Sequence, residues 1–231
     1  MALGGSGTIE VVDCLVRGVA GRAFGSSFTA GRFEGTRFED CGIAIHGTYQ
    51  AELRGCTFAN CTTGIVTGSR FPLRMYDCAF SGNERNWAVD YLHTVAIDCT
   101  VDRWEGGSYS AERDTFLVSK RHVIVRVVDA QGEPVKGALV KATVPASPAA
   151  GDLDVTVAKT GTDGRTPGEG EVGALLLSEL VIRAPQAEGA EPVREGYAWT
   201  IEAREGERVG RVEGFAPKES WETVEITITG P

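Results

Sequence analysis

Aspartates recur beside cysteines in this chain: Asp13 precedes Cys14, Asp77 precedes Cys78 and Asp98 precedes Cys99. Carboxylates gathered on one sheet face could do acid–base chemistry or hold calcium, and two stacked ones would couple their titration. Asp77 and Asp98 are spaced to be stacked neighbours, but Gly55 occupies the same site one repeat earlier and breaks the column. No lysine precedes Lys120, so a lyase-type base in this half would have to be an arginine. The plainer reading makes these aspartates water-facing residues beside a turn. His46, His93 and His122 lie about thirty to fifty residues apart, without metal-ligand spacing. Gly4-Gly5-Ser6-Gly7 lacks the lysine and strand–helix setting of a phosphate loop. These residues assemble no active site, metal site or cofactor site, and the chain reads as a non-enzyme.

The elements that carry these residues repeat. Cys14-Leu15-Val16, Thr36-Arg37-Phe38, Cys56-Thr57-Phe58, Cys78-Ala79-Phe80 and Cys99-Thr100-Val101 share a small residue, a variable one and an apolar one, at spacings of 22, 20, 22 and 21. A second column runs through Phe38-Glu39-Asp40-Cys41 and Phe58-Ala59-Asn60-Cys61, and decays at Phe80-Ser81-Gly82-Asn83. Such a period is a solenoid signature. Within each repeat, apolar residues alternate over short runs: Ile9 and Val11, Ile43 and Ile45, Leu73 and Met75, Val95 and Ile97, with Phe33, Leu53 and Ile65 as further inward candidates. Period two marks strands. A leucine-rich repeat has a similar period, but its Leu lattice and helical segment are absent. The reading is all-β: a short right-handed parallel β-helix of about five coils over residues 1–120, about 24 Å long at 4.8 Å per coil.

Six cysteines invite a disulfide reading. In the coil register Cys41 meets Cys61, and Cys78 meets Cys56 or Cys99. Cys14 lies two coils from Cys56, about 10 Å away, beyond the Cα separation a disulfide tolerates. At least two thiols therefore stay unpaired. A column of small buried hydrophobes is the favoured reading, with one or two disulfides as the alternative.

Residues 121–231 differ in composition, with no cysteine and most of the prolines. His122–Asp129, Val135–Val144, Gly173–Ala184, Tyr197–Ala203 and Val224–Ile228 read as strands, with turns at Ala130–Pro134 and Thr160–Arg165. Five to seven strands in this length predict a β-sandwich. Both halves are acidic, 11 basic against 14 acidic residues and then 12 against 18, for a total of −9. That balance argues against a nucleic-acid partner. No run is apolar and long enough for a membrane span, and Met1–Gly7 lacks the form of a secretory signal.

Two resemblances follow from these motifs. Val128-Asp129, Gly132, Pro134-Val135, Gly137-Ala138 and Val140 resemble the opening of the carboxypeptidase regulatory-like, Ig-like β-sandwich family. Thr162-Asp163-Gly164-Arg165 resembles its mid-domain turn, and Tyr197–Ala203 its later strand. The Pro145–Asp152 loop and the Gln186–Glu195 insertion depart from that pattern. The first half is similar to pectate-lyase-like right-handed β-helices with NosD-type repeats. The resemblance of the second half implies a non-catalytic accessory module on a secreted or surface protein, its leader removed or upstream. The resemblance of the first half implies a fold and leaves function open, since fold does not fix function.

The expected function is structural: an extracellular or cell-surface subunit of a filament or sheath, its partner another copy of itself. The apolar first coil (Ile9, Val11, Val16) would meet the last coil near Trp104, or an edge strand carrying Val224, Ile226 and Ile228. A row of unpaired backbone groups is a template for another chain. Trp87, Tyr91, Trp104 and Tyr109 are read as a cover for the far end of the solenoid. The alternative is a carbohydrate-binding or polysaccharide-degrading fragment with its active coils elsewhere and a surface polysaccharide as partner.

Overall fold

The computed structural model describes residues 7–25, 28–47, 51–67, 73–89, 94–104, 107–109, 116–144, 155–159, 174–184 and 190–230. Two compact units emerge: Met1–Ser119 with Val181–Arg194, and Lys120–Leu180 with Glu195–Pro231. Among the described residues every regular element is a strand.

The first unit is a β-solenoid with three strands per coil. Coil one holds β1 (Gly7–Val12), β2 (Leu15–Arg17) and β3 (Arg22–Gly25). Coil two holds β4 (Phe28–Glu34), β5 (Arg37–Glu39) and β6 (Ile43–His46), and coil three β7 (Ala51–Arg54), β8 (Thr57–Ala59) and β9 (Thr63–Thr67). Coil four holds β10 (Arg74–Tyr76), β11 (Ala79–Ser81) and β12 (Arg85–Val89), and coil five β13 (Thr94–Ile97), β14 (Thr100–Val101) and β15 (Gly107–Tyr109). Equivalent strands stack in parallel into three faces of five solenoid strands each, so that the path from the first strand of a face to its fifth is a solenoid of about four turns.

Its interior is three side-chain columns. Val11, Phe33, Leu53, Met75 and Ala96 form one, and Val16, Phe38, Phe58, Phe80 and Val101 the second. Phe24, Ile45, Ile65 and Trp87 form the third. Phe58 is fully buried and stacks on Phe38 at 5.1 Å and on Phe80 at 4.7 Å, the rings within 9° of parallel. In coil five the register differs from the alternation expected: Ala96 is inward, while Val95 and Ile97 are half-buried. Ile43 likewise lies off the interior columns, in register with Arg22 and Thr63.

The turns obey one code. Asp13, Gly35, Gly55, Asp77 and Asp98 all have φ between 51° and 58°, and each precedes a residue of the Cys14 column. Gly18, Asp40, Asn60 and Gly82 do the same at the next corner, at 54–68°. Only Gly, Asn and Asp adopt this left-handed conformation cheaply. Gly42 follows from closeness instead: a Cβ there would sit 2.4 Å from the carbonyl oxygen of Ala20.

In the second unit, β16 (Phe116–Val128), most of which lies here, pairs in parallel with β23 (Glu222–Thr227). A second sheet orders β18 (Val155–Lys159), β17 (Leu139–Thr143), β21 (Trp199–Glu205) and β22 (Arg208–Phe215), antiparallel throughout. β19 (Leu175–Arg183) and β20 (Val193–Gly196) are each divided between the two units, at Leu180/Val181 and Arg194/Glu195. Val123, Val125, Val127, Val140, Ile201 and Ile226 are buried. Arg121, itself buried, donates to Glu179 at 2.9 Å and to Ser220 at 3.2 Å. The Thr160–Arg165 turn and the Pro145–Asp152 loop lie outside the described residues.

Candidate functional site

Asp13, Asp77 and Asp98 are turn residues. Their shared left-handed backbone explains why aspartate alternates with glycine in one column. Among the described residues no three His, Cys, Asp or Glu side chains converge to hold a metal ion. His46 lies at the end of β6, and His93 is outside the described residues. His122 stacks on Trp221 at 4.5 Å. Trp221 has φ 62°, uncommon for so large a residue, and its N–H donates to the His122 carbonyl at 2.7 Å.

All six cysteines are free, five of them buried. Each of the corner cysteines is positioned for its S–H to donate to the carbonyl two residues earlier, as in Cys56 to Arg54 at 3.5 Å and Cys99 to Ile97 at 3.4 Å. Thr36 makes the same bond to Glu34 at 3.1 Å. The position thus requires a small side chain with a donor, which either residue supplies. The Cys56 thiol is pushed up by its hydrogen bond with Cys78 and by burial. For Cys78, the bond with Cys56 lowers the thiol, but Cys99 and burial outweigh it and the net shift is upward. Burial pushes Cys61 up to about 11. These are unreactive thiols, since the thiolate is the nucleophile.

Where the cysteine column gives way, a polar network replaces it. Asn83 accepts from the Cys61 N–H at 2.8 Å and donates to the Phe58 carbonyl and to Asn86, both at 3.0 Å. Asn86 continues to Asp102 at 3.2 Å and to the Arg103 carbonyl at 2.9 Å. Desolvation would raise the Asp102 carboxyl, but the Gly82 N–H at 2.7 Å, Asn86 and Arg103 hold it below its ordinary value. Every member satisfies another, which is a structural role.

The expected assembly residues divide. Ile9, Val11 and Val16 are half-buried on the first coil, where β1, β2 and β3 each have, among the described residues, a solenoid neighbour on one side only. Val11 and Val16 head interior columns. The apolar side chains that face outward there are Val12 and Leu15, 43% and 58% exposed, which the sequence reading passed over. Trp104 is buried against Trp87, with ring centroids 5.7 Å apart. Val224, Ile226 and Ile228 belong to the core of the second unit. Trp104 is buried in a turn, and Val224, Ile226 and Ile228 are buried in and just after β23. Tyr91 and the Tyr109 side chain lie outside the described residues.

One further feature was not visible as a motif. On the outer face of β3, β6, β9 and β12 an open groove of about 580 Å3 is lined by Arg22, Ile43, Thr63 and Arg85, with Val66 and Ala88 beside them. The first four are one register column across four coils. The lining includes no carboxylate, whereas Arg32, Arg37 and Arg54 elsewhere on the solenoid pair with Glu10, Glu39 and Glu52.

The chain matches no model of a known protein family and no curated protein.

Proposed function

We propose that this protein is a structural, extracellular subunit of a surface filament or sheath, which assembles through the open end of its β-solenoid. The observation that carries this reading is the first coil. Among the described residues its three strands are paired on one side, and Val12 and Leu15 stand exposed beside that open row of backbone groups. Another copy stacked there would continue the parallel ladder and remove apolar area from water, at about 25 cal/mol per Å2. A contact of this head-to-tail kind that does not close generates filaments.

The second unit supports an accessory role as an Ig-like sandwich of the carboxypeptidase regulatory-like kind: its parallel β16–β23 pair and four-stranded antiparallel sheet suit that architecture. The likeness of the solenoid to pectate-lyase-like and NosD-type repeats belongs to the same reading. Five of the six cysteines are buried, and the thiols of Cys56, Cys61 and Cys78 are also pushed up, which makes them resistant to oxidation and supports a place outside the cell.

The test is native mass by light scattering, with electron microscopy of the same sample. Wild-type protein is expected to form polymers, and Val12→Glu with Leu15→Lys to give folded monomer. These exposed positions serve better than Ile9 or Val11, whose replacement would disturb the fold itself. A wild type that stays monomeric at all concentrations sinks the reading, as do polymers indifferent to the double variant.

A further inference from the structure

Resting on the self-assembly reading, we propose that the Arg22–Arg85 groove is a socket for the segment Glu191-Pro192-Val193-Arg194-Glu195 of a second copy. Arg22 and Arg85 are exposed, and among the described residues neither has an ion-pair partner. They stand three coil steps apart in one column, about 14 Å at 4.8 Å per step. Between them lie Ile43 and Thr63. An extended peptide laid along the solenoid axis rises about 3.3 Å per residue and turns residues i, i+2 and i+4 to one face, the outer two about 13 Å apart. The matching side-chain pattern is therefore acid, apolar, acid.

The chain carries that pattern at 191–195. Glu191 and Val193 are exposed, Val193 at 46%, and Glu195 is half-buried. Neither glutamate has an ion-pair partner among the described residues. Pro192 fixes its own φ and disfavours helix at the residue before it, which holds the segment extended. Val193 begins β20, the last strand in its sheet order. Charge selects the pairing. The protein is −9 overall, so copies repel in general, and a cationic groove without carboxylates is where an acidic segment can settle. Docking places Glu191 and Glu195 at the two guanidinium groups and Val193 on Ile43. No Phe, Tyr or Trp lines the groove, and its one ring is the half-buried His46, which favours a peptide over a sugar, since a sugar site would use broad stacking faces.

The experiment titrates a fluorescently labelled peptide spanning residues 190–198 into the full chain and follows anisotropy. Binding is expected to weaken at least about tenfold with Arg22→Glu/Arg85→Glu protein, and equally with a Glu191→Gln/Glu195→Gln peptide. It should also weaken with salt, as the Debye length falls from about 10 Å at 0.1 M to about 3 Å at 1 M. Circular dichroism establishes that the exposed-site variant is folded. A peptide that does not bind, or binds both proteins alike, overturns the socket. The polymer assay separates the two readings. Polymers that persist in a wild type whose peptide fails to bind leave the filament standing and remove the socket. A strictly monomeric wild type overturns both readings, even if the free peptide binds, since no second copy then fills the groove.

Discussion

Phe58→Ala tests the interior directly. The ring is fully buried and lies between two parallel rings, Phe38 at 5.1 Å and Phe80 at 4.7 Å. Truncating a buried Phe to Ala costs about 3–5 kcal/mol, the transfer of the lost atoms plus the cavity left behind. Stacked aromatic pairs add about 0.5–1.5 kcal/mol beyond burial. Two such pairs are lost here, and the flanking strands cannot collapse into the gap, because parallel pairing fixes coil spacing. The expected cost is therefore at the top of the range, about 4–5 kcal/mol. With a urea m-value of roughly 1–3 kcal/mol/M, the unfolding midpoint of the solenoid should fall by more than about 1 M. Leu15→Ala, on an exposed side chain, should stay within about 0.5 kcal/mol. Urea unfolding followed by circular dichroism reads both. Equal midpoints for Phe58→Ala and Leu15→Ala would refute the inward register of the whole Phe column, since Phe38, Phe58 and Phe80 share it.

Two further outcomes follow from the corners of the coil. Asn60 has φ 54°, so Asn60→Val should cost about 1–2 kcal/mol while Asn60→Gly stays near neutral, as measured by the same urea transition. The second concerns alkaline pH. Cys61 rises from 9.0 to about 11 on folding, with Cys56 and Cys78 shifted the same way. A thiol raised in the folded state holds its proton where the unfolded chain loses it, so stability is full below about pH 9 and falls as pH rises toward 11. Cys61→Val should flatten that decline in pH-dependent unfolding, and an unchanged slope would show that the thiol is not desolvated.

The solenoid was legible in the sequence because identical corners recur. The spacing of Cys14, Thr36, Cys56, Cys78 and Cys99 set the coil register, and the structure stacks these five residues in that order. The Phe stack came with it. Local alternation alone misled at Val95 and Ile97: it reports which residues share a face, but not which face is inside. Counting three back from each corner, as Val11, Phe33, Leu53 and Met75 stand, arrives at Ala96, so the long-range register outranks local hydrophobicity. In the second unit β22 escaped notice because Arg208–Phe215 is only half-buried and mixes Arg, Glu and Gly.

Sequence by itself determined the fold class, the coil period and the small-residue column, all of which are periodic and so survive in one dimension. Tertiary structure alone decided the rest. The aspartate column has a backbone meaning that appears only with φ. Among the described strands β23 pairs with β16 alone, so it is an edge as expected, yet Val224, Ile226 and Ile228 are buried, because burial depends on what packs against a strand. Arg22 and Arg85 are 63 residues apart. Stacking the intervening coils brings them into one column, and no local pattern records that.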